Sequence, residues 1–244
     1  MKEVSKQMIY LDYGATSWPK SESMLRAMTD FLKFDGGNPS KTGHRLSVSA
    51  YEKVISARKK IATFFGLSKP DRLIFMQNAT AALNTAVLGY LKPGDRVILS
   101  EVEHNSVLRP LLSFGSSIQI EYARCTKNGV LDIDNLKRKL KKKAKLVVIS
   151  HANNVNGTIQ NLAAISKTVH KANSRLLVDA AQTAGQIEID IEKTGIDLLA
   201  FTGHKSLHGP PGIGGLIINK DFNISSLQPL ILGAIGENMD VEDD

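Results

Sequence analysis

With one cysteine, Cys125, in 244 residues, the chain has no internal disulfide to hold it together. A lone thiol agrees with a reducing compartment, and the expected location is the cytoplasm. Aromatic residues are also scarce, at 6% with a single tryptophan. No uninterrupted apolar window of about 18 residues occurs. The opening Met1-Lys2-Glu3-Val4-Ser5-Lys6 is charged with no apolar stretch behind it, so neither a membrane span nor a secretory leader is expected. Internal repeats and low-complexity linkers are missing too, which excludes solenoid and fibrous architectures. What is present is 42% apolar residues, enough at this length for a substantial core and too many for a disordered chain.

The formal net charge of +7 raises the question of a polyanionic partner. Much of the excess sits in Lys137-Arg138-Lys139-Leu140-Lys141-Lys142-Lys143, behind the capping-competent Asp132 and Asp134. The segment reads as the exposed face and C-terminal end of a helix. No aromatic side chain interleaves with the lysines to stack bases, so nucleic-acid binding is not expected.

Short β-branched runs bounded by turns recur along the chain, separated mostly by stretches of helical period. Strands are expected at 73–76, 96–99, 118–122, 146–150, 176–179, 198–201 and 215–218, and helices at 22–34, 48–65, 81–91, 106–114, 134–142 and 162–172. Runs such as Leu146-Val147-Val148-Ile149 and Leu176-Leu177-Val178 are apolar on both faces, as strands covered by helices on two sides must be. The expected fold is a three-layer α/β/α domain around a mostly parallel seven-stranded sheet.

In such a sheet ligands gather beyond the C-terminal ends of the strands, and the informative residues are those in the loops there. After the first strand, Gln77-Asn78-Ala79-Thr80-Ala81-Ala82 opens a helix whose first N–H groups suit a phosphate, with the Thr80 hydroxyl as a further donor or merely a cap. After the second, His104 stands where a flat aromatic ligand can stack. After the fourth, His151-Ala152-Asn153-Asn154-Val155-Asn156-Gly157 offers amides either to a ligand or to asparagine turns. Asp179 finishes an apolar strand, where a carboxylate is costly to desolvate without a cation or several donors. The sixth strand runs into Gly203-His204-Lys205-Ser206. A lysine at the end of an apolar strand is pushed toward the neutral amine that attacks carbonyls, although a surface lysine remains an alternative at this point.

Taken together, these residues resemble the class V aminotransferase and cysteine desulfurase group of fold-type-I pyridoxal-phosphate enzymes. The resemblance rests on Tyr10-Leu11-Asp12-Tyr13-Gly14-Ala15-Thr16, Asn38-Pro39-Ser40 running to Gly43-His44-Arg45-Leu46-Ser47, Asn78-Ala79-Thr80, Glu103-His104-Asn105-Ser106, Asp179-Ala180-Ala181-Gln182 and Gly203-His204-Lys205, in that order. It implies that Lys205 holds the aldehyde carbon of pyridoxal 5'-phosphate and later moves the substrate's α-proton. It implies further that Asp179 pairs with the ring nitrogen and that His104 stacks on the ring. Gln182 and Asn154 would bond the ring's phenolic oxygen, and Ala79 N–H, Thr80, Thr202 and His204 would hold the phosphate.

The implied reaction takes sulfur from L-cysteine to an enzyme cysteine and releases alanine, feeding sulfur metabolism and iron–sulfur cluster assembly through a sulfur-acceptor protein. A complete enzyme of this kind is expected to be a homodimer. The resemblance divides the chain into an N-terminal segment at 1–20, a cofactor-binding large domain at 21–232 and the start of a continuation at 233–244. The family's catalytic cysteine and its substrate-carboxylate arginine belong to a C-terminal part beyond that point, so a missing small domain and impaired turnover are expected. Cys125 matches no catalytic position. Tyr13-Gly14 replaces the family's usual asparagine and alanine, and Gly233-Ala234-Ile235-Gly236 lacks the hydroxyl that related chains offer a neighbouring subunit. Two alternatives stand beside the desulfurase reading. One is another class V reaction, such as an aminotransferase, selenocysteine lyase or desulfinase. The other is a non-catalytic binding protein that uses its basic helix.

Overall fold

The computed structural model describes residues 9–39 and 43–232. Expectations that fall on 1–8, on 40–42 or on 233–244, the Gly233–Gly236 stretch among them, lie outside the described residues. One sheet organises the rest. Its strands are β1 (Leu73–Met76), β2 (Arg96–Ser100), β3 (Gln119–Ala123), β4 (Leu146–Ser150), β5 (Arg175–Asp179), β6 (Leu198–Thr202) and β7 (Gly214–Ile218). Their spatial order is β1-β7-β6-β5-β4-β2-β3. The pairs β2–β3, β2–β4, β4–β5 and β5–β6 are parallel, whereas β7 is antiparallel to both its neighbours.

The reversal at β7 has a topological cause. A parallel crossover needs a dozen or more residues, usually including a helix, and the loop from β6 to β7 contains none. The loop carrying Lys205 is therefore a tight return over the sheet's edge. Because β1 runs with β6, the ends of β1, β2, β4, β5 and β6 all open toward the same side.

Alternation along each central strand feeds two separate cores. Val147, Ile149, Leu176 and Val178 face one layer with α2 (Arg45–Phe64), α5 (Ile133–Leu140) and α6 (Leu162–Lys171). Leu146, Val148, Leu177 and Leu198 face the other, with α3 (Ala79–Tyr90) and α4 (Asn105–Leu112). All eight of these strand side chains are fully buried. Burial of that kind contributes roughly 1.5–3 kcal/mol per side chain. It is what fixes the strand ends in space.

The helix starts are set by side-chain caps. Asn78, His104, Asp132 and Asn161 each accept a backbone N–H of the first turn of α3, α4, α5 and α6. His44 does the same for α2, so that helix begins at Arg45 rather than at 48 as expected. The expected helix over 22–34 is interrupted: α1 (Glu22–Asp30) passes into a π-helical turn, Phe31–Asp35. The wider turn brings Asp35 onto α2, where its carboxylate accepts the Ser49 hydroxyl at 2.5 Å and pairs with Lys53 at 3.5 Å. A short helix not foreseen in the sequence, α7 (Ile191–Thr194), is ended by Gly195 at φ 73°. The lysines of the basic run are largely exposed, on α5 and the turn after it, as expected of a solvated helix face.

Gly185, at φ 91°, supports the Lys205 loop, since a Cβ there would lie 2.6 Å from the Ser206 carbonyl oxygen. Gly185→Ala is expected to cost about 2 kcal/mol or more, from strain plus displacement of that loop. Urea unfolding measures it, and a loss below about 0.5 kcal/mol would mean the loop yields without resistance.

Candidate active site

The loops at the common edge converge on one cavity. All nine residues selected from the sequence line it: Ala79, Thr80, His104, Asn154, Asp179, Gln182, Thr202, His204 and Lys205. Its floor is buried, formed by Ala79, Asp179 and Thr202, and its rim, with Thr80, His104 and Asn154, is exposed. Cys125 does not line it. That thiol is half-buried, and burial raises its pKa.

Asp179 ends β5. One carboxylate oxygen accepts the Ala181 N–H at 2.9 Å. Burial pushes its pKa up, opposed by that hydrogen bond and by the nearby His104 and Lys205. The carboxylate is thus short of donors and receptive to a cationic N–H. Lys205, half-buried, has its pKa lowered by burial, with Asp179 opposing the shift. Both groups are driven toward their neutral forms.

His104 caps α4 through its ring. Nδ1 accepts the Ser106 N–H at 3.1 Å and lies 2.9 Å from the Ser106 hydroxyl, which in turn lies 2.8 Å from Thr80 Oγ1. The Nδ1 acceptor role puts the ring proton of the neutral form on Nε2. This chain of contacts locks the plane of the imidazole at the cavity rim. It also engages the Thr80 hydroxyl, so Thr80 is more than a cap and less than a free donor.

The asparagine loop divides the two roles foreseen for it. Asn153 makes the turn, accepting from the N–H groups of Val155 and Asn156 and donating to the Val102 carbonyl at 3.0 Å. Asn154 is left to face the cavity. At the far end of the pocket, the cap of α3 leaves the N–H groups of Ala79 and Thr80 without a carbonyl partner among the described residues. Thr202 Oγ1 is buried nearby and has no hydrogen-bond partner there either. Gly214 makes this corner possible, because a Cβ on it would fall 2.8 Å from the Asn78 Cα.

Two groups that matter have no role assigned from the sequence, although Glu103 and Thr16 stand within motifs quoted there. Glu103 is buried between the ends of β2 and β4, accepting the Ser100 hydroxyl at 2.5 Å, the Ser150 N–H at 3.0 Å and the Ser150 hydroxyl at 2.8 Å. Burial raises its pKa to about 7 against these donors, and the charge of Asp179 adds to the rise. A carboxylate directly before His104, just past the apolar run Val97-Ile98-Leu99, was its signal. The second group is Thr16, Ser17 and Lys20, which reach the carbonyl of His204 from nearly two hundred positions away. No local pattern announces that contact.

His204 has its pKa lowered by burial first, then by Lys205 and Lys20. Thr16 Oγ1 sits 3.0 Å from the His204 carbonyl and 3.1 Å from its ring Nδ1. Both contacts are favourable only if the hydroxyl donates to the carbonyl and accepts from Nδ1–H. That leaves Nε2 as the nitrogen able to take up a further proton.

The chain is similar to known proteins in sequence and in fold. The family model described as aminotransferase class-V matches residues 9–243. The chain is 38% identical over 242 residues to "Cysteine desulfurase IscS" of Dictyoglomus turgidum, covering 96% of this chain and 59% of that one. It is 34% identical to a "Probable cysteine desulfurase" of Pyrococcus abyssi, covering 98% of this chain and 60% of the relative. Among solved structures it superposes on the apo cysteine desulfurase of Thermococcus onnurineus NA1 with a TM-score of 0.87 at 33% identity, over 92% of this chain and 56% of that one. A structure described as SspA in complex with cysteine gives 0.84 at 29% identity, over 93% and 65%. The chain thus spans less than two thirds of the length of each.

The raised pKa of Glu103 has a sign that can be checked. Its protonated form contributes stability that is complete below the ordinary value of 4.5 and is lost as pH rises through about 7. The full span is on the order of 3 kcal/mol. Glu103→Gln, which keeps the shape and an acceptor for Ser150 N–H, removes this contribution while keeping the slopes due to Asp179, His151 and His204, so the comparison is between the two proteins' urea midpoints at pH 5.5 and at pH 8. Wild type is expected to lose about 2 kcal/mol relative to that variant over the interval. Equal pH slopes in the two proteins would show that Glu103 keeps one charge state throughout.

Proposed function

Since the chain belongs to the aminotransferase class-V family, we propose that its cavity holds pyridoxal 5'-phosphate and that it forms the cofactor-binding part of a cysteine desulfurase-like enzyme acting on L-cysteine. The observation that carries this reading is that Lys205 and Asp179 share one desolvated cavity at the sheet's C-terminal edge. The donor set suits the cofactor at both its ends. The unpartnered Thr202 hydroxyl and the free first N–H groups of α3 fit a phosphate. The under-satisfied Asp179 carboxylate fits a protonated ring nitrogen.

Each residue then has a task. Lys205, held toward its neutral amine, would be the residue that holds the cofactor and carries a proton on Nζ. Asp179 keeps the proton on the ring nitrogen. His104, fixed in plane by Ser106, covers one face of the ring. Asn154 and Gln182 orient the phenolic oxygen, and Ala79 N–H, Thr80, Thr202 and His204 orient the phosphate, with His204 taking a proton on Nε2 to donate. When bound, the cofactor supplies an electron sink for the substrate's α-carbon. Cys125 takes no part, because it is outside the cavity.

L-cysteine as substrate draws support from the names of the relatives and from the cysteine held by the SspA structure. We assign residues 21–232 to the cofactor-binding domain and 1–20 to an N-terminal segment, of which Tyr13, Thr16, Ser17 and Lys20 touch the Lys205 loop. A homodimer is supported by the apolar side chains exposed around α1, Leu32 at 75% and Phe34 at 65%. A sulfur-acceptor protein as partner and a cytoplasmic location complete the reading. Among the described residues, no helix is long and apolar enough to cross a membrane.

Purification with pyridoxal phosphate is expected to give a visible absorbance band that borohydride fixes covalently to Lys205. Lys205→Ala should lose the band, and Asp179→Asn should weaken retention of the cofactor by about tenfold or more, as expected for removal of a buried charge partner. A fixed adduct persisting in Lys205→Ala would overturn the assignment.

A further inference from the structure

The carbonyl immediately before Lys205 is unusual in its environment. The His204 oxygen lies within hydrogen-bonding distance of four donors, all from one segment near the start of the chain: Ser17 N–H at 3.0 Å, Ser17 Oγ at 3.0 Å, Thr16 Oγ1 at 3.0 Å and Lys20 Nζ at 2.9 Å. Lys20 also donates to Ser17 Oγ at 2.7 Å, and Ser17 itself is 1% exposed. A carbonyl has two lone pairs, so four donors crowd it well beyond ordinary satisfaction. The same segment touches the loop a second time, where the Tyr13 ring meets His208 edge-on at 6.1 Å.

We infer that Lys20, acting with Thr16 and Ser17 as a strap, is a positioning residue for Lys205. The inference rests on the reading of Lys205 as the cofactor-binding lysine. Its physical basis is that a charge-assisted donor on the His204 carbonyl fixes the His204–Lys205 peptide plane, and hence the direction in which the Lys205 side chain leaves the backbone. Lys20 carries its charge into the same corner, where it acts on the His204 imidazole. Removing it frees the peptide to rotate and takes a positive charge away from the His204 imidazole that precedes Lys205.

The test uses the full chain with pyridoxal phosphate and reads absorbance rather than turnover. Lys20→Met is expected to shift the pH midpoint of the cofactor's visible band by about half a unit or more, because Lys205 is no longer held in a fixed direction relative to Asp179, the one charge that acts on it. It should also weaken cofactor retention about tenfold, and Lys20→Arg should restore both. Ser17→Ala, which keeps the backbone N–H, should move the midpoint in the same direction by less and serves if Lys20→Met does not fold. Midpoint and retention in the folded variants indistinguishable from wild type would overturn the strap's role, as would an arginine variant that behaves like methionine. Absence of any band in wild type would instead overturn the cofactor reading, so the two failures are distinguishable.

Discussion

The structure turns on the desolvation of one carboxylate. Asp179 is carried to the end of β5 by a run of side chains that are fully buried, and it arrives there with a single backbone N–H for company. Water would have satisfied it; the protein supplies Lys205 across the cavity and His104 at its rim. Everything nearby is shaped by the same low polarisability. Glu103 is pushed toward its protonated form, His151 is held down to about 4, and Lys205 and His204 are both lowered by burial. A site in which acids and bases alike are biased to neutrality is one where a proton's position is decided by geometry, through contacts such as Ser150 to Glu103 and Thr16 to His204.

The two cores give that geometry its rigidity. Because consecutive residues of β4 and β5 serve opposite layers, a strand cannot slip by one position without exchanging its apolar side chains between layers already filled. The strand ends are therefore fixed, and the loops need only short reaches to meet. Glycines complete the fit where backbone passes backbone, as Gly214 does beneath Asn78 and Gly185 does behind Ser206.

Much of this was legible in the sequence, for reasons that differ by element. The central strands announce themselves as apolar runs because both their faces are covered, and β1 and β4 fall where those runs begin and end. Asp179 and Lys205 stood out because a charge at the end of such a run demands an explanation, and the cavity brings them together with the other seven selected residues. What escaped was set by three-dimensional context. The π turn after α1 goes with a contact between Asp35 and Ser49, fourteen positions on, and α7 is too short for periodicity to reveal. The antiparallel setting of β7 follows from the length of one loop. The strap is invisible to any window, since a threonine, a serine and a lysine near the start carry no mark of a carbonyl far down the chain.

That separation has a consequence for how the protein comes into being. Lys20 and His204 lie 184 positions apart, yet they are in direct contact. On a ribosome adding about 5–20 residues per second, the strap waits roughly ten to forty seconds for its partner to be made. Ile9 and Leu11, both still more than 80% exposed in the finished fold, flank it throughout that interval. The strap is thus made long before the carbonyl it holds, and the site cannot mature until translation is nearly through the described domain.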